Sequence, residues 1–126
     1  MAIMDPTRIP PDRDHLDLED RRRLMWLELY AADGRFDDAQ EIAEDLWIEA
    51  TDAHKRLYQG LSNAFTAAAA RAALQRRGAT EIARRTRDML APYPRLVIGI
   101  DLEALLESLD ALVVRGDGTL LLQRQG

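Results

Sequence analysis

Cysteine is absent from this 126-residue chain, which removes a disulfide framework, a thiolate metal site and a cysteine nucleophile together. Histidine is scarce, at two residues, and every basic side chain except Lys55 is arginine. No apolar run approaches the roughly 20 residues that a bilayer-spanning helix requires. The opening Met1-Ala2-Ile3-Met4-Asp5-Pro6 has neither the basic start nor the apolar centre of a secretion signal, so a cytoplasmic location with no membrane partner is expected. Acidic residues outnumber basic ones, 22 to 17, for a formal net charge of -5. Nucleic acid calls for the opposite excess, and is not expected as a partner. What the chain does have is an apolar fraction of 47%, ordinary for one domain with a buried core.

Patterning divides that domain into helices. Residues 1–16 carry Pro6, Pro10 and Pro11 among charges, and read as a flexible N-terminal tail, free or docked. Asp17 is a helix cap with Glu19 and Asp20 in the first turn; Leu24, Leu27 and Ala31 follow at helical spacing, and Gly34 supplies the stop. Asp37 or Asp38 then caps a second helix striped by Ala39, Ile42, Ala43, Leu46 and Ala50. A third and longest helix starts at Thr51 or Asp52, buries Leu57, Leu61, Ala64, Phe65, Ala68 and Ala72, and runs to Arg76-Arg77-Gly78. Gly60 within it implies close approach by another helix or by a bulky group such as Trp47. Thr80 and Glu81 open a fourth helix with Ile82, Thr86, Met89 and Leu90 inward, ended by Pro92 and Pro94.

Leu96–Ile100 reads as a buried extended connector, and Asp101 caps a fifth helix packing through Leu102, Leu105, Leu106, Leu109 and Leu112. Val113–Leu122 has two apolar runs around an Asp-Gly turn, so either a hairpin forms or helix five runs on to Val114 and a tail follows; the latter is favoured. The expected fold is therefore all-α: a compact bundle of about five helices over residues 17–116, with a short C-terminal extension, 117–126.

The run Gly34-Arg35-Phe36, followed by Gln40-Glu41-Ile42-Ala43-Glu44-Asp45-Leu46-Trp47, then Arg56-Leu57-Tyr58-Gln59-Gly60-Leu61 and Gly99-Ile100-Asp101, resembles domain of unknown function family 309. These small helical proteins are often labelled predicted metal-dependent hydrolases. The family's first block reads Ala-His-Glu-x-Leu-Glu-x-x-Trp, which Ala39, Glu41, Glu44 and Trp47 match, while Gln40 replaces the histidine and Ala43 the leucine. An amide does not titrate near neutral pH and is a poor transition-metal ligand, so no metal or cofactor is expected.

Gln40, Glu44, Trp47 and Gln59 are the candidate binding or structural cluster, and Glu41 and Glu44, three positions apart, the candidate catalytic carboxylates. His15 and His54 read as solvated side chains. Two principal readings follow: a noncatalytic helical module, binding a protein partner or forming a homo-oligomer, with a structural Gln/Glu cluster; or a hydrolase or small-molecule binder using Glu41 and Glu44. A tetratricopeptide-like peptide-binding hairpin is a minor third. Trp26 and Tyr30 fall partly outside the inward stripe of helix one, where they either meet a second copy or lie beneath the tail.

Overall fold

Asp17 leaves the chain extended and accepts the Asp20 amide on Oδ1 at 2.8 Å, so α1 begins at Leu18 and runs to Ala32. The computed structural model describes residues 9–116 and 118–122, Asp52 through its backbone alone. The start of the tail with Pro6, the Asp117 of the Asp-Gly turn, and residues 123–126 lie outside the described residues. Leu24, Leu27 and Ala31 are buried, and Gly34 at φ 73° turns the chain while the Arg35 amide bonds back to Tyr30 O at 2.9 Å.

Helix α2 spans Phe36–Glu49, so its cap lies two or three residues ahead of the expected Asp37 or Asp38. Arg35 occupies the cap position without a side-chain cap bond, and Asp38 instead accepts from Arg35 Nε at 2.8 Å. Helix α3, Asp52–Ala72, is the axle of the fold. Ala64, Ala67 and Ala68 let α2 and α4 approach it closely, and Leu57, Leu61 and Phe65 are fully enclosed. Full burial of side chains this size contributes about 1.5–3 kcal/mol each.

The expected run of α3 to Gly78 is corrected. It ends at Ala72, leaving Ala72 exposed, and α4 occupies Arg76–Leu90 instead of opening at Thr80. The break is made by Leu74 at φ 64°, with the Gln75 amide bonded to Ala70 O at 2.9 Å, the same closure that Gly34 gives α1. Thr86 and Leu90 of α4 face inward as expected, joined by Ala79 and Ala83, with Ile82 and Met89 half-buried. Links of two or three residues reverse the direction of successive helices: Arg56 near the start of α3 donates to Met89 O at the end of α4, and Tyr93 donates to Ala53 O.

The connector after α4 is a small antiparallel ladder, not one extended segment. β1 (Leu96–Val97) pairs with β2 (Ile100–Asp101) across Ile98 and Gly99, whose φ values of 44° and 74° make a two-residue hairpin turn. Helix α5, Leu102–Arg115, is capped by Asp101, whose Oδ1 accepts the Ala104 amide at 3.0 Å. It continues one residue past Val114 to end at Gly116, φ 79°, so Val113–Arg115 are helical and no hairpin forms there. Arg71, buried at the end of α3, donates from Nε to Val113 O at 2.8 Å and lays its guanidinium against the carbonyl end of α5, where a cation is favoured. Leu120 and Leu122 bury against the core, and the Leu121 amide bonds Ser108 Oγ at 3.1 Å.

Of the two readings of the N-terminal tail, its described part is docked. Ile9 and Leu16 are buried, and residues 13–15 form a short 3-10 turn. Pro10 O and Pro11 O accept the amides of Ile98 and Gly99, while Arg13 Nε donates to Ile98 O at 3.2 Å and its guanidinium pairs with Glu28. A β-branched residue at positive φ is strained, and Ile98 is held there by bonds to both its backbone groups. Burial lowers the Arg13 pKa from its ordinary value. The molecule is thus all-α apart from the two-residue strands, and among the described residues no helix is long and apolar enough to cross a membrane.

Candidate functional site

The signature residues sit on α2 and α3. Gln40 and Glu44, one helical turn apart, are both half-buried, and Gln40 Nε2 donates to Glu44 Oε1 at 3.3 Å. Gln59 is half-buried on α3, but no hydrogen bond joins it to either residue among those described, so the polar part of the candidate cluster reduces to one hydrogen-bonded pair within a helix. Glu41 is exposed, and no ion pair involves it among the described residues. Trp47 packs half-buried against the core, its carbonyl accepting from Lys55 at 3.3 Å. Gly60 does not receive Trp47 as its close neighbour. A Cβ there would stand 2.4 Å from Leu90 Cδ2, so the small residue serves the α3–α4 contact.

Two other regions carry more surface chemistry. Helix α1 packs on α2 and, through Glu28, meets the tail; its outer side is exposed among the described residues. Leu18, Met25, Trp26 and Leu29 are exposed there, at 63%, 48%, 44% and 53%. Trp26 stacks near Tyr30, ring centroids 5.7 Å apart, and Arg35 lies over the Tyr30 ring at 4.7 Å. These groups, with Leu29, Ala32 and Asp33, line a dent of about 400 Å³. The docked tail residues leave Trp26 exposed.

The second region is a cleft of about 290 Å³ where the tail, the start of α1, the end of α2 and the start of α3 converge. His15 and His54 face each other across it with Nε2 atoms 3.5 Å apart, and the His54 ring lies 6.0 Å from that of Tyr58. Asp17, Asp20, Glu49 and Thr51 complete its polar lining. Burial, then the Asp17 carboxylate, raises the Asp20 pKa, partly offset by Arg23. Burial pushes the Tyr58 phenol far up, and its hydroxyl has no hydrogen-bond partner among the described residues. The two histidines lie 39 positions apart in sequence, and nothing in their local patterns links them.

Fold and surface together define a class: an all-α array in which each helix packs on its neighbour and a central α3 fills the core. Scans against family models, curated proteins and solved structures gave no match to this chain. The resemblance to domain of unknown function family 309 therefore rests on its residue blocks alone.

Proposed function

We propose that the protein is a noncatalytic helical module that associates with a second copy of itself through the outer face of α1, the Gln40–Glu44 pair being structural. The observation that carries this reading is the apolar stripe on an end helix: Leu18, Met25 and Leu29 lie one above another, flanked by Trp26, and all are exposed. Exposed aromatics and methionines of this kind are enriched at interface centres.

Self-pairing is favoured by the charge pattern. With a two-fold axis perpendicular to α1 at the level of Leu27, antiparallel copies set Met25 against Leu29 and bring the two Trp26 rings together. Arg22 of one copy then lies beside Asp33 of the other. A single face is complementary to itself, which is the requirement of a closed dimer. The other reading, a hydrolase using Glu41 and Glu44, lacks such support: Glu41 is solvated and Glu44 is engaged by Gln40.

Sedimentation velocity at micromolar to 100 μM concentrations tests the proposal. The full chain is expected to sediment as a dimer, and Leu29→Asp as a monomer of unchanged helicity. Arg22→Glu weakens the dimer, and adding Asp33→Arg restores it. A wild-type chain that stays monomeric throughout, or a dimer indifferent to Leu29→Asp, refutes the reading.

A further inference from the structure

We infer that the groove between α4 and the C-terminal half of α5 docks a short acidic amphipathic helix of a partner protein, which sets its apolar side on alanine and valine and its carboxylates against a rim of arginines. The groove encloses about 470 Å³. Its floor is apolar: Ala83 and Val113 are buried beneath it, and Val114, 73% exposed, stands at its side. Arg76, Arg84 and Arg87 reach it from one side of α4, where residues three, four and eight positions apart lie along the same flank.

Charge on this helix runs against that of the whole chain. The protein has a formal net charge of -5, yet α4 carries Arg76, Arg77, Arg84, Arg85 and Arg87 against only Glu81 and Asp88. Arg76 makes no ion pair among the described residues. Arg84 donates to Glu81 at 2.5 Å, and Arg87 pairs with Asp110 of α5 across one end of the groove. Both pairs are exposed, and exposed pairs hold their partners weakly. A guanidinium has five donors, so each arginine accommodates a second carboxylate beside the first.

The spacing suits a helix. Eight residues of α4 span about 12 Å, so Arg76 and Arg84 meet carboxylates about two turns apart on a partner helix, with apolar side chains between them over Ala83 and Val114. A nucleic acid would carry its charge past α4 onto the surfaces that hold the chain's excess of acid, and gains nothing from an apolar floor. An anionic lipid surface would lie across the two helices and leave the recess between them unfilled. The groove is also separate from the face proposed for self-association, because α4 and α5 pack on α3 and on each other whereas α1 packs on α2.

Fluorescence anisotropy of the full chain with a designed peptide tests this. The probe is a fluorescein-labelled 16-residue alanine-based helix with leucine at positions 5, 9 and 12, and glutamate at 1, 6, 8, 13 and 15 on the two flanks of that stripe. Saturable binding is expected, and it weakens about tenfold when the glutamates become lysine or the leucines become serine. Arg76→Glu and Arg84→Glu each weaken it at least about threefold, and Val114→Asp abolishes it. All three positions are exposed, and circular dichroism of the variants is expected to match that of wild type. The monomeric Leu29→Asp binds the peptide as wild type does, which separates this groove from the self-association proposed above. Vesicles of phosphatidylcholine with phosphatidylglycerol, and an oligodeoxythymidine of equal length, are not bound. Absence of saturable binding, equal binding of the lysine peptide, indifference to Arg76→Glu and Val114→Asp, or capture by the vesicles or the oligonucleotide overturns the inference.

Discussion

Replacing Gly60 by alanine sets two opposed effects against each other at one atom. Alanine in place of glycine inside a helix favours folding by about 0.8–1 kcal/mol through propensity alone. The added Cβ, however, would stand 2.4 Å from Leu90 Cδ2 and 2.9 Å from Leu90 Cγ. Leu90 is 2% exposed, so its side chain has no solvent to swing into and the helices must separate or the core must shift. Overpacking of that kind costs about 1–3 kcal/mol, leaving a net loss of roughly 1 kcal/mol. For a chain of this size that is a fall of roughly 3–5 °C in Tm. Urea denaturation of Gly60→Ala, Leu90→Ala and the double variant gives the coupling directly. Leu90→Ala alone costs about 2–5 kcal/mol, and on the Gly60→Ala background it costs at least about 1 kcal/mol less, because the new methyl fills part of the space. Trp47→Phe is the control, and its effect adds to that of Gly60→Ala within about 0.5 kcal/mol. A Gly60→Ala protein more stable than wild type, or one coupled to Trp47 and not to Leu90, refutes the assignment of Gly60 to the α3–α4 contact.

Asp101→Ala removes the α5 cap and the partner of Arg95, and a loss of about 1–2 kcal/mol is expected in chemical denaturation. The hydrogen bond from Arg95, then the Ala104 amide, holds the Asp101 carboxyl below its ordinary value. Its contribution is complete above the unfolded-state value near 3.9 and disappears as the pH falls through the lower folded one. The Tm advantage of wild type over Asp101→Asn therefore shrinks on going from pH 5 toward pH 2; an advantage independent of pH in that window contradicts the ion pair. Tyr58→Phe removes a buried hydroxyl that has no partner among the described residues and leaves Tm equal or raised, since such a group costs about 1–3 kcal/mol to bury. A clear destabilisation by thermal melting would show that the hydroxyl is bonded after all.

The helices were legible wherever one residue type performs one local task. Asp17 and Asp101 both cap through the amide three residues on, and Gly34 ends α1 by accepting positive φ. The same closure at the end of α3 is made by Leu74, an exposed leucine at φ 64°, and no residue preference marks it. The nearest glycine, Gly78, lies inside α4 and draws the boundary to the wrong place. Gly60 announced a close approach, but the identity of the approaching group depends on how α4 lies across α3, a tertiary fact. The motif positions on α2 were placed correctly on one helix, yet Gln59 belongs to another element and is not bonded to them. Least visible was the meeting of His15 and His54, because each is locally an ordinary polar residue and only the docking of the tail brings them together.

That docking also orders events in time. Helices α1 to α4 find their main packing surface on the helix before or after them in the chain, and such short-range encounters close quickly. The pairing of Pro10 and Pro11 with Ile98 and Gly99 spans nearly the whole chain and has nothing to grip until α4 and the small ladder exist. Slowing of hydrogen exchange at the Ile98 amide therefore reports the docked tail, not the formation of any one helix.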